Sequence, residues 1–446
     1  MIIRSILFSN NNNLRRELKI GSDSNIDGLE IRLDSLPSEL PDAEIVASYP
    51  GLKILTLKNE APSLLETDPE ITEDYDMIDL DYRYFISHRK DIGIPPDKLL
   101  ISIHTSSKKE IRNLIRDGSV SAYKLKIVLK RGNLRDYYEL RNEISNLNAT
   151  FFRMGEKYKI TRFYAIKGEG INYSYVGRKT APGQFSIEEA IKIKNYEVYG
   201  LVGNPLTKSL SKMIYDKIFS RYGIKAIYLN FEINPMDFDY FIKIAREVGI
   251  AGLNFTVPFK LDASRMFHDG IHPVNFVKLK GNVEIRNTDL EAIKYLIGNK
   301  KPEKVLIYGN GASAITSIMA FPNSELYVIG RNLDKVKVFS NKYGAKIAEQ
   351  PAEFDVLINS TPVGMYQAGK LPDIISDSVF DAIIDFPYSE DKTVFQEFAE
   401  RRNIQFISGK QILATQASFN IKYWFGLQVS PKEILEILEG DDHGSS

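Results

Sequence analysis

Lys126 sits in the middle of an apolar run, Ala122–Leu129. A lysine pointing into a protein interior is costly to ionise, so burial alone lowers its pKa and leaves an amine able to attack a carbonyl. Lys124 shares its face by the two-residue period of a strand, and Lys130 lies just beyond, so the residues themselves leave the nucleophile open among them. His104 closes another apolar run, Leu99–His104. An imidazole there can take and return a proton near neutral pH, or simply cap the strand. Farther on, Val305–Tyr308 runs into Gly309-Asn310-Gly311-Ala312. Glycines after a buried strand let the backbone turn tightly and approach a pyrophosphate at a helix N-terminus, although two glycines also suit an ordinary strand-to-helix turn. A second strand ends at Ile329 and is followed by Gly330-Arg331-Asn332. No acidic residue stands there to hold a ribose diol, and a guanidinium matches the 2′-phosphate of NADP(H). Lys335 is the next cation along. Ser209 and Ser211 sit where a helix starts, a place where hydroxyls and free N–H groups hold a carboxylate or cap the helix.

The elements that must position these residues follow from the apolar pattern. Eight short runs read as strands: Ile2–Phe8, Leu29–Leu33, Lys53–Leu57, Met77–Asp81, Leu99–His104, Ala122–Leu129, Thr150–Met154 and Tyr173–Gly177. Amphipathic stretches such as Lys108–Arg116 and Leu134–Leu147 alternate with them. Eight alternating βα units predict a (β/α)8 barrel over residues 1–195, small enough that some helices must be short or missing. Ser186–Lys194 reads as its last helix, and Asn195–Val198 as a linker without Gly or Ser. A second α/β pattern follows. Its strands are Glu197–Gly203, Ile227–Glu232 and Gly252–Thr256, with helices over Ser209–Tyr222 and Pro235–Val248. A third unit opens at Lys304 and continues through strands Leu326–Ile329, Val356–Asn359 and Ala382–Asp385. The expected α/β organisation is a barrel at 1–195, a substrate domain at 196–300 completed by about 412–440, and a Rossmann-like dinucleotide domain at 301–411. Asp441–Ser446 reads as a frayed polar tail.

Composition narrows the chemistry further. The 446 residues contain no cysteine, which removes thiolate catalysis, disulfides and Cys-based metal sites. Five histidines without an H-x-x-x-H pair argue against a His-based metal site, so no metal is expected. Lys plus Arg equals Asp plus Glu at 58 each, which argues against nucleic acid or an anionic membrane as partner. No apolar run reaches the length of a membrane helix and no signal peptide is read, so a cytoplasmic location is expected. A homodimer remains open.

Six ordered segments of the second half resemble shikimate dehydrogenases. They are Gly203-Asn-Pro-Leu-Thr-Lys-Ser-Leu-Ser211, Asn254-Phe-Thr-Val-Pro-Phe-Lys260, Asn287-Thr-Asp289, Asn359-Ser-Thr-Pro-Val-Gly-Met365, Asp385-Phe-Pro-Tyr388 with Thr393, and Gly409 with Gln416-Ala-Ser-Phe419. The resemblance implies reduction of a carboxylated ring ketone with NADPH. Lys260 and Asp289 become the acid–base pair, because the alkoxide left by hydride transfer needs a proton. Ser209, Ser211, Asn254, Thr256, Asn275, Tyr388 and Gln416 become substrate contacts. Gly309, Asn310, Gly311, Ala312, Arg331, Thr361 and Gly409 become cofactor contacts. Ala312 stands where the family often has a further glycine, His-Pro-Val-Asn275-Phe replaces the usual G-A-V-N-T, and Glu390 replaces a proline.

The first half resembles type I 3-dehydroquinate dehydratases. The resemblance rests on Thr180-Ala-Pro-Gly-Gln184, Glu30-Ile-Arg-Leu-Asp34, the strand-end His104, the strand lysine Lys126, and Arg162 eight residues after Met154. It selects Lys126 over Lys124 as the imine-forming lysine and His104 as the proton shuttle. It places Glu30, Arg32, Lys58, Arg162, Thr180 and Gln184 around the substrate. Asp81 stands where a glutamate orients the histidine, and Lys58 where an arginine is common; a lysine cannot reproduce a bidentate contact. The two resemblances together imply a bifunctional enzyme. It would dehydrate 3-dehydroquinate through a lysine imine and reduce the product, 3-dehydroshikimate, to shikimate, with small molecules as partners. The alternative is an active dehydrogenase half joined to a barrel that is a structural module.

Overall fold

The computed structural model describes residues 1–20, 26–59, 61–117, 120, 123–267, 272–365 and 370–440, so Ala122 and the tail Asp441–Ser446 lie outside the described residues. The backbone divides into two compact units. The first is Met1–Val198 with Lys225–Ile227 and Phe231–Ile250; the second takes Tyr199–Ile224, Tyr228–Asn230 and the chain from Ala251 onward.

The first unit is built on eight parallel strands: β1 Ile2–Leu7, β2 Gly28–Leu33, β3 Leu52–Leu57, β4 Met77–Asp81, β5 Leu99–Thr105, β6 Lys124–Leu129, β7 Ala149–Arg153 and β8 Asn172–Ser174. Their order is β7-β6-β5-β4-β3-β2-β1-β8, a nearly closed barrel with its seam between β7 and β8. These strands are near-continuous apolar runs because both faces of a barrel strand are buried. Several helices are reduced as expected: Ala43–Ala47, Leu64–Thr67 and Phe163–Ile166 have four or five residues each. Helix Leu134–Glu143 stops short of Leu147, and the Ser145 hydroxyl bonds back to the Asn142 carbonyl there, a local alternative to helical bonding. Strand β8 ends at Ser174 rather than Gly177, whose φ of +69° breaks the extended run. The segment at 231–250 belongs to this unit through side chains. Asp237 accepts a hydrogen bond from the backbone N–H of Leu134, and Glu247 accepts from the hydroxyls of Tyr138 and Tyr164.

Ser5, Glu30, Thr56, Asp79, Ser102, Lys126 and Thr150, one from each of β1 to β7, are all buried. They form a polar layer inside the barrel. A barrel interior is packed with side chains, and polar groups there must satisfy one another.

In chain order β9 is Glu197–Gly203, β10 Ala226–Glu232, β11 Ile250–Phe255, β12 Phe276–Lys278 and β13 Glu284–Arg286, in a sheet ordered β10-β9-β11-β12-β13. Strands β12 and β13 are antiparallel and only three residues long. A six-stranded parallel sheet follows: β14 Lys304–Tyr308, β15 Glu325–Ile329, β16 Lys346–Ile347, β17 Glu353–Asn359, β18 Val379–Asp385 and β19 Gln405–Ile407. Its order β16-β15-β14-β17-β18-β19 is that of a doubly wound dinucleotide fold. The closing helix Gly409–Phe425 carries Trp424 back against Tyr199 and Phe276, with ring centroids at 4.7 and 5.1 Å. No described helix is long and apolar enough to cross a membrane.

Two candidate active sites

In the second unit a cleft of about 570 Å³ collects Ser209, Ser211, Asn254, Thr256, Lys260, Asn275, Asp289, Thr361, Tyr388, Gly409 and Gln416. Lys260 opens the helix Lys260–Phe267 and Asp289 lies in the first turn of Thr288–Ile297. Lys260 Nζ and Asp289 Oδ2 are 2.6 Å apart, with side chains about a tenth exposed (10% and 12%). The buried Asn275 accepts the backbone N–H of Thr288 at 2.7 Å and so anchors the helix that carries Asp289. The Asn254 oxygen accepts from Tyr228 at 2.9 Å, and its amide donates to the Asn275 carbonyl at 3.0 Å; this side chain braces the floor through protein contacts. Gln416 takes the amide of Asn420 at 3.0 Å. Ser211 begins its helix proper, and the Ser209 hydroxyl accepts the Ser211 N–H at 3.3 Å, so Ser209 is bonded as a local cap as well as lining the cleft.

The cofactor candidates fall in two groups. Thr361 and Gly409 line the cleft. A Cβ on Gly409 would lie 2.3 Å from the Pro387 carbonyl oxygen, so only glycine lets the closing helix start against that loop. Gly309, Asn310, Gly311 and Ala312 form the turn from β14 into helix Ala312–Ala320, outside the cleft lining. Gly309 has φ +124°, and a Cβ there would meet the Ser360 Oγ at 2.5 Å. Gly311 faces open space and Arg331 is exposed. Ser313 and Ser360 also line the cleft and escaped the sequence reading, since a serine after a strand or in a helix carries no signal of its own.

In the first unit a cavity of about 40 Å³ is lined by Glu30, Arg32, Lys58, His104, Lys126, Arg162 and Gln184, among others. Lys126 Nζ stands 2.9 Å from Glu30 Oε1 and 2.9 Å from Asp79 Oδ2, and lies over the Tyr173 ring at 3.7 Å. Burial works against its charge, but Asp79 and Glu30 outweigh burial and hold the amine well above the usual lysine range. This corrects the expectation that burial alone would lower it. Glu30 and Asp79 are penalised by burial in turn, yet Lys126 draws both below the usual carboxylate range. Thr56 donates to Glu30 at 2.9 Å, and Ser5 donates to its other oxygen. Arg162 is 2% exposed. Its Nε and Nη1 have no hydrogen-bond partner among the described residues, and burial pushes it down to about 10. Arg32 pairs with Asp34 at 2.9 Å and reaches the Thr180 carbonyl at 3.3 Å. Gln184 accepts the Thr180 and Ala181 N–H groups, each at 2.9 Å, which ties that segment into a turn whose Ala181 and Gln184 line the cavity.

Asp81 is the second correction. Its carboxylate accepts the Arg83 N–H at 2.9 Å and caps the helix Tyr82–His88, outside the cavity lining. The last residue of β4 turns away from the barrel to start the helix, while Asp79, two residues earlier, points inward. Among the described residues the side chain bonded to His104 is Lys58, with Lys58 Nζ 3.2 Å from His104 Nδ1. Asp79 was visible in principle: it is a charged residue within an apolar run, as Lys126 is.

Residues 201–272 match the family described as the shikimate dehydrogenase substrate binding domain. The shikimate dehydrogenase (NADP(+)) of Saccharolobus islandicus is 31% identical over 269 residues, 55% of this chain and 96% of the relative. That of Methanococcus maripaludis is 27% identical over 256 residues, 52% of this chain and 92% of the relative. The solved structure of dehydroquinate dehydratase and shikimate dehydrogenase from S. pombe AroM aligns with 98% of each chain, at 16% identity and a TM-score of 0.44. With a relative above 30% identity matched over nearly its whole length, the chain belongs to the shikimate dehydrogenase family.

Proposed function

We propose that the chain catalyses two consecutive reactions, dehydration of 3-dehydroquinate in the barrel and NADPH-dependent reduction of 3-dehydroshikimate to shikimate in the cleft. The observation that carries this reading is the pair of cavities, each centred on a buried lysine in contact with carboxylates.

In the cleft, Lys260 donates the proton that a newly formed alkoxide needs, and Asp289 holds the Lys260 nitrogen in place through their 2.6 Å contact. Ser209 and Ser211 are the candidates for the substrate carboxylate, and Thr256, Tyr388 and Gln416 for its hydroxyls. NADPH, named in the relatives, would supply the hydride. The residues fit it: the β14 turn exposes Gly311 at a helix N-terminus, and Arg331 is exposed after β15, where a 2′-phosphate would meet it.

In the barrel, Lys126 passes a proton to Glu30 or Asp79 and attacks the ketone; that proton and a second one from the nitrogen leave with the ketone oxygen as water, and the iminium takes the place of the ammonium between the two carboxylates. Those carboxylates favour a cation at that nitrogen in both states. The iminium draws electrons from the neighbouring carbon, His104 takes its proton, and the departing hydroxyl leaves as water. Arg162, with two buried N–H groups unbonded, is the candidate for the substrate carboxylate. We place these reactions in the cytoplasm, with small molecules as the partners the two sites call for.

The test is to supply 3-dehydroquinate and NADPH and follow shikimate. Shikimate is expected from both 3-dehydroquinate and 3-dehydroshikimate. Lys126→Ala should abolish use of the first and leave the second nearly intact. Shikimate from 3-dehydroshikimate alone, with no borohydride trapping of 3-dehydroquinate on Lys126, would make the barrel a structural module.

A further inference from the structure

The Lys58–His104 contact restricts what the histidine can do. A lysine ammonium carries three N–H donors and no lone pair. While Lys58 is charged, His104 Nδ1 can only accept from it, so the single proton of the neutral ring sits on Nε2. A neutral Lys58 has a lone pair, which Nδ1–H can donate to, and Nε2 is then bare. The first state can give a proton to a substrate and the second can take one.

We propose that Lys58 is a positioning residue that selects the tautomer of His104, and that the two side chains relay a proton as one unit. The relay rests on the dehydratase reading of the barrel. In the base step the substrate C–H bond breaks, its electron pair stays with the iminium-conjugated carbon, and an Nε2–H bond forms. At the same time Nδ1–H breaks and the proton passes to Lys58, which becomes an ammonium. In the acid step Nε2 protonates the departing hydroxyl, the C–O pair leaves with the oxygen as water, and Lys58 returns its proton to Nδ1. The pair ends as it began.

The surroundings favour this route. Glu30 and Arg32 on β2, Asp79 on β4, Lys126 on β6 and Lys130 just after it bear on the pair, and Arg162 and Tyr173 share the cavity. Burial lowers the Lys58 pKa, with Lys126 and Arg32 adding to it against Asp79 and Glu30. Burial, then Lys58, Lys126, Lys130 and Arg32, push His104 down to about 2. An imidazolium beside an ammonium is therefore strongly disfavoured. The relay never makes one, because the charge that His104 would carry moves to Lys58.

The ring ¹⁵N shifts of His104, assigned with His104→Gln, report the tautomer without turnover. The proposal expects Nε2–H at low pH and Nδ1–H after a titration below the usual lysine range. Lys58→Arg, which stays charged, should hold Nε2–H throughout and lower dehydration at least about tenfold, about 1.4 kcal/mol of barrier. Lys58→Met, with neither donor nor lone pair, should give a pH-independent tautomer ratio. The same pH-dependent switch in Lys58→Arg, or Nδ1–H at every pH in the wild type, would overturn the proposal. Borohydride trapping of 3-dehydroquinate on wild-type Lys126 is run alongside. Its absence removes the dehydratase reading and the relay with it, whereas trapping without the tautomer switch removes the role of Lys58 alone.

Discussion

Asn359 and Asp385 meet at the ends of two neighbouring parallel strands, where the Asn359 amide donates to one Asp385 oxygen at 2.7 Å. Thr393 donates to the other oxygen at 2.6 Å, and the side-chain amide oxygen of Asn359 accepts both the N–H and the hydroxyl of Thr361. The carboxyl thus fixes which way the Asn359 amide faces, and the amide fixes the turn that brings Thr361 to the cleft.

This carboxyl makes stability depend on pH. Burial pushes Asp385 up to about 7 from an ordinary value of 3.8, against the opposing hydrogen bonds of Thr393 and Asn359. The folded state therefore holds its proton longer than the unfolded chain. The sign follows: below about pH 4 both states are protonated and nothing is lost, and stability falls as pH rises through 4 to 7. About three pH units correspond to roughly 4 kcal/mol as an upper bound. Asp385→Asn should remove that dependence. Urea unfolding of both proteins at several pH values measures it, and a parallel fall in the variant would show that another group is responsible.

Much of this architecture was legible because buried parallel strands announce themselves. All eight barrel strands and β14 stand out as apolar runs bounded by polar turns, and the Lys126 register is visible in its strand. Strands β12, β13, β16 and β19, of two or three residues, are too short to show a period, and tertiary pairing alone makes them strands. Lys260 and Asp289 are 29 residues apart, and the sequence joined them only through a family resemblance. Asp81 was placed beside the histidine by the resemblance alone; the helix that starts immediately after it engages its carboxylate as a cap instead.

That distinction can be tested with two single substitutions. Asp79→Asn removes one of the two carboxylates that hold the Lys126 nitrogen and should lower dehydration at least about tenfold. Asp81→Asn keeps a capping side chain and should leave dehydration within about twofold, with a stability change well under 1 kcal/mol. Steady-state dehydration rates of the two variants provide the comparison. A larger loss for Asp81→Asn than for Asp79→Asn would return the catalytic role to Asp81.

Lys260→Ala should lower the reduction of 3-dehydroshikimate by about 10² or more, the scale of general acid–base catalysis. Lys260 is paired with Asp289 in the cleft, whereas the Gly309–Ala312 turn lies outside the cleft lining, so NADPH affinity should change little. Turnover at saturating substrate and cofactor separates the roles. A variant that keeps turnover but loses NADPH binding would make Lys260 a cofactor contact instead.

Cofactor choice turns on Arg331. It follows β15 at the place where a doubly wound sheet meets the adenosine ribose, and Gly330, Arg331 and Asn332 supply no carboxylate for a free diol. Asn332 is occupied as the cap of the next helix, its side chain accepting the Lys335 N–H at 3.0 Å. The exposed guanidinium is therefore the group placed to meet a 2′-phosphate. A charge-assisted bond there contributes roughly 1.5–3 kcal/mol, which corresponds to about a 10- to 150-fold preference for NADPH over NADH. Steady-state kinetics with both cofactors on the wild type and on Arg331→Ala provide the test. Arg331→Ala should lose most of the preference while its rate with NADH changes little. Equal use of the two cofactors by the wild type would refute the assignment. An unchanged ratio in the variant would move the phosphate contact to Lys335, the next cation on the same turn.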